Sequence, residues 1–442
     1  MEKNISDFLN DEYKRFSYHI IENRAIGSII DGYKPSTRKA IFVGEKYVRG
    51  GYNTVETLAG RLVSDAGYHH GSVSAEGIIV NSTVSYKQNL PMFQGYGSFG
   101  SLYQNTPASS RYIKVKLHEN YDLVFKDKDL LEYNEEDGIK LEPTFMLPTV
   151  CTCLLNNVSG IAVGFATNIL NREAKPLIKD SISYLKGGKI GKLPPYIETF
   201  NGTFLVDSEN HKKWYIKGIF KIENTSTVRV TELVPSMNYE KWEELLDNLI
   251  EKKQIINWEN VGKGRIDYVI KFTREKLATL TEADIDKMLK LTDQVTENFT
   301  VLDEFGKLKI FESAQDILKY FCDFRLTYYD KRKAFQLKKI KEDIIKFNMR
   351  YKFVKLVIDG KIIINNKKKE DIIKQIDSNS IDKIDDSYDY LLNMPIYSLS
   401  KEKLDELSEN IKKKKEEEKI IKASVPKEVY ISELEELYKK LK

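Results

Sequence analysis

Tyr112 follows Arg111 at the end of a glycine loop and a run of small polar residues, in YGSFGSLYQNTPASSRYIKVKL (Tyr96–Leu117). A phenol ionises near pH 10 and attacks poorly unless nearby cations lower the cost of its deprotonation. Bonded to phosphorus, however, it retains the energy of the bond it replaced. A tyrosine that attacks a phosphodiester can therefore break a strand and later reseal it without consuming a nucleotide. Such a site needs cations at the scissile phosphate. Arg24, Arg38, Lys39, His69, His70 and Arg111 are available if the fold gathers them. Simple packing of an Arg-Tyr dipeptide is the alternative that the residues alone leave open.

Other chemistries find less support. Cys151, Cys153 and Cys322 cannot build a disulfide framework, and no second pair or nearby His completes a zinc site around Cys-x-Cys; buried thiols are expected. GYGSFG matches the glycine spacing of a dinucleotide loop, but NLPMFQ precedes it and a loop with Pro107 follows, where a buried strand and a helix are needed. Its glycines better suit close approach of another backbone. Asp127 with Asp129, and Asp284 with Asp286, read as exposed acids rather than a metal site. No Ser or Cys lies in a nucleophile elbow, and no Walker A loop occurs.

The elements that must position Tyr112 are mostly helical. Residues 5–48 carry helical signals broken at Pro35, with Ser36 or Thr37 as the cap of the second segment. Val55, Leu58, Leu62 and Ala66 repeat at helical spacing, the turn GYHHGS follows, and Ser72 can cap a third helix. Helix, turn and helix form either a DNA-binding helix-turn-helix or two ordinary core helices. Lys14 to Lys116 holds 13 Lys/Arg against 6 Asp/Glu, while net charge is only +4, so a local polyanion-binding surface is expected. A solvated charged face is the alternative.

Residues 113–170 read as short strands and loops, and alternating segments mixed with amphipathic helices up to about Phe299 indicate an α+β domain. From Ile317 to Tyr351, apolar residues including Phe321, Phe324 and Tyr328 step by three and four, predicting a helix of about 35 residues and a coiled-coil arm. Leu404, Leu407, Ile411 and then Leu434, Leu437, Leu441 supply the returning strand, with a small helical knob between. The expected domains are 1–150, 151–310 and 311–442. No run of about 18 apolar residues and no secretory signal are present, so no membrane association and a cytoplasmic location are expected.

ENRAIGSIIDGYKPSTRKAIF, GYHHG, GYGSFGS, ASSRYI and VSGIAVGFATNI stand in an order and context that resembles the cleavage-religation subunit of type IIA DNA topoisomerases, the family of gyrase's DNA-cleaving chain and its topoisomerase IV counterpart. The resemblance implies an α+β multidomain fold: a CAP-like winged-helix domain around Tyr112, an α/β tower domain, and a long antiparallel coiled coil ending in a helical C-gate. It makes Tyr112 the nucleophile that joins the 5′ phosphate of a cut strand, with Arg111, Arg24 and His70 completing the catalytic set. Lys34, Arg38 and Lys39 become a basic helix that tracks the DNA backbone, His69 and Ser101 further DNA contacts, and Ile161 a wedge that bends the duplex by unstacking one step.

The same resemblance implies double-stranded DNA as substrate, a homodimer through the C-gate, and a separate ATPase/Toprim subunit that binds ATP and holds most of the Mg²⁺. Three departures are visible. Val73 and Gly77 replace the quinolone-anchoring serine and acid, Lys39 replaces an arginine, and the chain stops after the coiled coil without a wrapping β-pinwheel. The last implies relaxation and decatenation rather than negative supercoiling. A non-catalytic helix-turn-helix DNA-binding protein dimerised by a coiled coil, and a coiled-coil scaffold, are the competing classes.

Overall fold

The helices flanking Tyr112 begin where local chemistry directs them. In the computed structural model, which describes residues 5–384 and 386–441, α1 (Pro35–Tyr47) takes Pro35 as its first residue and Lys34 as its extended cap. Proline lacks an N–H that would be unsatisfied there anyway. Ser36 and Thr37 thus lie inside the first turn rather than capping it. β1 (Asn53–Thr54) leads into α2 (Val55–Asp65), whose cap Thr54 accepts from the Thr57 amide at 3.2 Å. Val55, Leu58, Leu62 and Ala66 are fully buried, as their spacing predicts. α3 (Ser72–Asn81) is capped by Gly71 at φ 83°, a conformation closed to serine without strain, so Ser72 becomes its first residue.

β2 (Phe93–Tyr96) and β3 (Lys114–Leu117) join β1 in an antiparallel sheet of order β1-β3-β2, with Asn53 opposite Val115 and Tyr96 opposite Lys114. The three helices pack on one another, and Phe93, Val115 and Leu117 turn inward. A Cβ at Gly44 would lie 2.4 Å from the Phe93 ring, which shows how closely α1 lies on β2. The glycine loop after β2 behaves as its sequence suggests. Gly97 and Gly100 have φ of 104° and 84°, and a Cβ at Gly100 would meet the Gln104 carbonyl oxygen at 2.8 Å.

β4 (Tyr133–Glu136) and β5 (Ile139–Pro143) form a hairpin turned by Asp137-Gly138, both at positive φ. A second hairpin, β6 (Val158–Ile161) with β7 (Ala166–Ile169), follows. Further along, strands Ile219–Asn224, Thr227–Glu232, Tyr268–Lys271 and Asn257–Asn260 lie side by side in that order, all antiparallel. Their core centres on buried Trp242, whose indole donates to the Leu289 carbonyl at 2.7 Å. A three-stranded sheet orders Thr292–Thr296, Lys213–Lys217 and Thr203–Val206. The mixed α+β expectation holds.

The chain divides into two compact units, Met1–Arg325 with Glu433–Lys442, and Leu326–Ser432. The helix Ala314–Ile358 contributes to both and has 45 residues, longer than the pattern predicted. Its buried seam also differs. Tyr328 is only partly buried, whereas Arg325 and Tyr329 are sealed. Arg325 tolerates burial because it pairs with Asp127 and donates from Nε to the Pro148 carbonyl at 2.9 Å. Asp127 is therefore a buried partner, not the exposed acid expected. Asp284 instead completes a capping box with Thr281.

Within the second unit, Lys401–Ala423 runs antiparallel to the long helix. Asp343 faces Lys414 at 3.9 Å, and the Lys333 ammonium donates to the carbonyls of Lys422 and Ser424 at 2.9 and 2.6 Å. Tyr329 stacks on Tyr430 with centroids 4.5 Å apart. A smaller core holds Phe353, Val354, Ile376, Tyr388 and Leu391. Ile396 and Tyr397 project from its surface. No helix among the described residues is long and apolar enough to cross a membrane. Cys151, Cys153 and Cys322 are buried, and burial pushes the Cys153 thiol up.

Candidate nucleic-acid interface

Tyr112 differs in its surroundings from the tyrosines that are paired with carboxylates. Tyr103, Tyr121, Tyr268, Tyr320 and Tyr388 each donate to a carboxylate, and burial together with that negative charge raises their ionisation, Tyr388 to about 12. Tyr112 is 72% exposed, and among the described residues its hydroxyl has no carboxylate partner. Its amide donates to the Ser109 carbonyl at 2.9 Å in a tight turn just before β3. The Val55 and Glu56 amides donate to the carbonyls of Ile113 and Ser110, fastening that turn to the start of α2. Arg111 is exposed beside it, as is Ser101 in the preceding loop.

Arg24, Lys34 and His70 meet elsewhere, around a cleft of about 810 Å³. Helix 21–25 supplies Arg24, the α1 cap supplies Lys34, and the turn between α2 and α3 supplies His70. Lys87 adds a fourth basic group, while Asn157 and Ser159 add neutral polar ones; none of the three stands out in the sequence as a site residue. The signal for Lys87 is a solitary lysine after α3 in a segment without acids, STVSYKQN. Among the described residues no carboxylate lines the cleft. Burial lowers the Lys34 and Lys87 ammonium pKa values. His70 also titrates below its ordinary range, first from desolvation and then from the positive charges of Arg24, His69 and His19. Basic groups whose charged forms are disfavoured by burial and, at His70, by neighbouring positive charge, with no carboxylate among the described residues lining the cleft, make a place for an anion. His69 is exposed next to it.

Two of the expected DNA contacts are used inside the protein. Arg38 is only 6% exposed. Its Nε donates to Asp31 at 2.7 Å and its Nη2 to the Tyr33 carbonyl at 2.8 Å. Asp31 also accepts from the Tyr33 and Met146 amides at 2.9 and 2.8 Å. Lys39 donates to Glu142 at 2.8 Å and to the Ala66 carbonyl at 2.5 Å. Both side chains therefore fix the segment that presents Lys34 and the turn before His70. Helical spacing placed them beside Lys34 but could not reveal distant Glu142.

Ile161 stands 87% exposed where β6 ends, with Ala162 to Phe165 turning the hairpin. An aliphatic side chain so exposed has no packing role in the chain. The root is tied down by buried polar contacts. Arg172 and Glu297 form a buried pair at 2.8 Å, and Glu297 also accepts from the Leu170 amide at 3.0 Å and the Trp214 indole at 2.9 Å. A Cβ on Gly160 would sit 1.9 Å from the Ala25 carbonyl oxygen, so β6 presses directly on the backbone beside Arg24.

Metal and nucleotide do not fit these residues. Among the described residues no three His, Cys, Asp or Glu side chains gather into a metal-binding group. The GYGSFG loop packs on itself, with the Gly95 Cβ position 2.7 Å from the Phe99 ring, and forms no phosphate cradle.

Comparison with known proteins gives one consistent result. Residues 24–437 match the family model that describes the A-type subunit of DNA gyrase/topoisomerase IV. The chain is 30% identical over 446 residues to the DNA topoisomerase medium subunit of Enterobacteria phage T4, covering 98% of this chain and 99% of that one. With mitochondrial DNA topoisomerase 2 of Dictyostelium discoideum it shares 29% identity over 449 residues, 98% of this chain but 35% of the relative. The DNA-binding, cleavage and re-ligation domain of Plasmodium falciparum topoisomerase II superposes with a TM-score of 0.89 at 26% identity, over 98% of this chain and 64% of that one.

Proposed function

Because the chain belongs to the A-type family of DNA gyrase/topoisomerase IV subunits, we propose that it is the strand-cleaving and resealing component of a type II DNA topoisomerase, with Tyr112 as nucleophile. The observation that carries this reading is a cleft lined by Arg24, Lys34, Lys87 and His70 and, among the described residues, by no carboxylate, in the same unit as an exposed tyrosine flanked by Arg111. The Tyr112 hydroxyl attacks a backbone phosphorus and the 3′ oxygen leaves with a proton, so one phosphodiester is exchanged for another and the reverse step reseals the strand. Arg111 and Arg24 offset charge on the phosphoryl oxygens. His70, held toward the neutral form, is fitted to accept a proton.

Geometry argues that one chain does not make one site. Tyr112 is fastened to the first residues of α2, while His70 follows its last residue by five positions. A helix rises about 1.5 Å per residue, which puts the two ends of α2 about 15 Å apart. Tyr112 therefore serves the cation cluster of a second copy, and two such sites sever both strands of a duplex. Ile161 enters the duplex as a wedge, and Lys34, His69 and Ser101 contact its backbone.

In this reading residues 1–150 form the winged-helix cleavage domain, 151–310 the tower, and 311–442 a coiled coil whose exposed Ile396 and Tyr397 meet their counterparts in the second copy at a dimer gate. Mg²⁺ and ATP belong to a separate ATPase/Toprim subunit, and no step above passes through a metal held by this chain. The test is to mix the chain with that partner, ATP, Mg²⁺ and supercoiled plasmid. Protein becomes covalently linked to 5′ ends with the wild type and not with Tyr112→Phe; an undiminished adduct from the variant ends the assignment.

A further inference from the structure

The outer face of the β1-β3-β2 sheet carries a feature that strand cleavage by Tyr112 does not use. Tyr52, just before β1, is 41% exposed, and Tyr96, at the end of β2, is 64% exposed. Their ring centroids are 5.8 Å apart with planes inclined at 56°, so they form an open pair rather than a closed stack. Lys114 lies opposite Tyr96 across the β2-β3 ladder, and the Lys116 ammonium sits 5.1 Å from the Tyr52 centroid. Among the described residues neither lysine forms an ion pair. The sheet's inner face is fully engaged by Phe93, Val115 and Leu117. The outer aromatics are thus surplus to folding.

We propose that Tyr52, Tyr96, Lys114 and Lys116 form a binding platform for unpaired nucleotides of single-stranded DNA, adjacent to the nucleophile. Aromatic rings stack on bases of any sequence, and lysines between them neutralise the connecting phosphates. Paired bases in a duplex hide their faces in their own stack, so the exposed rings select an unpaired segment. Position supports this occupant. Lys114 is two residues beyond Tyr112, about 7 Å along an extended chain, and a strand joined to Tyr112 has its end tethered beside the rings. The platform rests on the strand-cleavage reading for its purpose, but its binding can be measured without cleavage.

The experiment uses the full chain alone, with a short fluorescein-labelled single-stranded oligonucleotide and the duplex of the same sequence, followed by fluorescence anisotropy. Tyr52→Ala and Tyr96→Ala are each expected to weaken single-strand binding by about tenfold and duplex binding by less than about twofold. Tyr52→Phe and Tyr96→Phe should retain single-strand affinity, since the ring and not the hydroxyl makes the contact. The double change Lys114→Gln with Lys116→Gln should lower the slope of log affinity against log salt for single strands by about 1.4. Unchanged single-strand affinity in both alanine variants, or equal losses for single strand and duplex, overturns the platform. Neither result touches the Tyr112 assignment, which fails separately if wild-type chain with its partner subunit yields no covalent adduct.

Discussion

Arg38 Nε donates to Asp31 at 2.7 Å within the protein, one turn from the half-buried Lys34 that faces the cleft. Two basic residues four positions apart therefore have opposite roles. Arg38→Ala leaves Asp31 buried without its charge partner and should destabilise the fold by about 3–5 kcal/mol in urea unfolding. Lys34→Gln should change stability by less than about 1 kcal/mol yet lower the salt slope of duplex binding by about 0.9. A full salt slope in Lys34→Gln would remove it from the interface.

Placement of Tyr112 and His70 at opposite ends of α2 predicts complementation. Tyr112→Phe and His70→Ala chains, each defective as homodimers, should regain nicking when mixed as heterodimers, because one intact tyrosine then faces one intact histidine across the dimer. Recovery reads as single-strand breaks in plasmid. No recovery in verified heterodimers would place both groups in one chain's site.

His70 supplies a pH prediction. Its pKa lies below the ordinary 6.5, so the imidazole is neutral at pH 7 and cleavage should fall only as pH drops through that lowered value. Desolvation is the larger cause and Arg24 the next, so Arg24→Gln should move the His70 NMR titration upward. The stability sign follows: the unfolded chain binds this proton at higher pH than the folded chain, so folding is penalised as pH falls through about 6.5. A titration midpoint unaffected by Arg24→Gln would separate the two side chains.

Ile161→Ala should leave thermal stability unchanged, because an 87% exposed side chain has little packing to lose. Bending of bound duplex, read by energy transfer between end labels, should decrease. An unaltered bend angle removes Ile161 as the wedge.

Asp127→Ala removes a carboxylate that pairs with the sealed Arg325 guanidinium and should cost about 3–5 kcal/mol, read by denaturant unfolding. A loss below about 1 kcal/mol would mean that water reaches the guanidinium.

The nearest-neighbour features of this fold were legible in the sequence. Val55, Leu58, Leu62 and Ala66 share a face because helical geometry alone determines it, and the glycines of GYGSFG announced a tight approach because only conformation was at issue. What escaped was tertiary. Arg38 and Lys39 carry the same charge as Lys34, and nothing local distinguishes a cation that will meet Asp31 or Glu142 from one that will meet solvent. Arg325 escaped for the same reason: apolar spacing identifies a seam, but its buried ion partner lies 198 positions earlier. Lys87 joined the cleft through a loop whose path no periodicity describes.

The contact of Gly160 with the Ala25 carbonyl has a mechanical meaning. With 1.9 Å between a notional Cβ and that oxygen, no other amino acid can be accommodated without prying the hairpin off the segment that bears Arg24. The hairpin tip that bears Ile161 and the segment that carries the Arg24 guanidinium are consequently geared together, so that under the proposed function entry of one into a duplex would be felt by the other without any moving part between them.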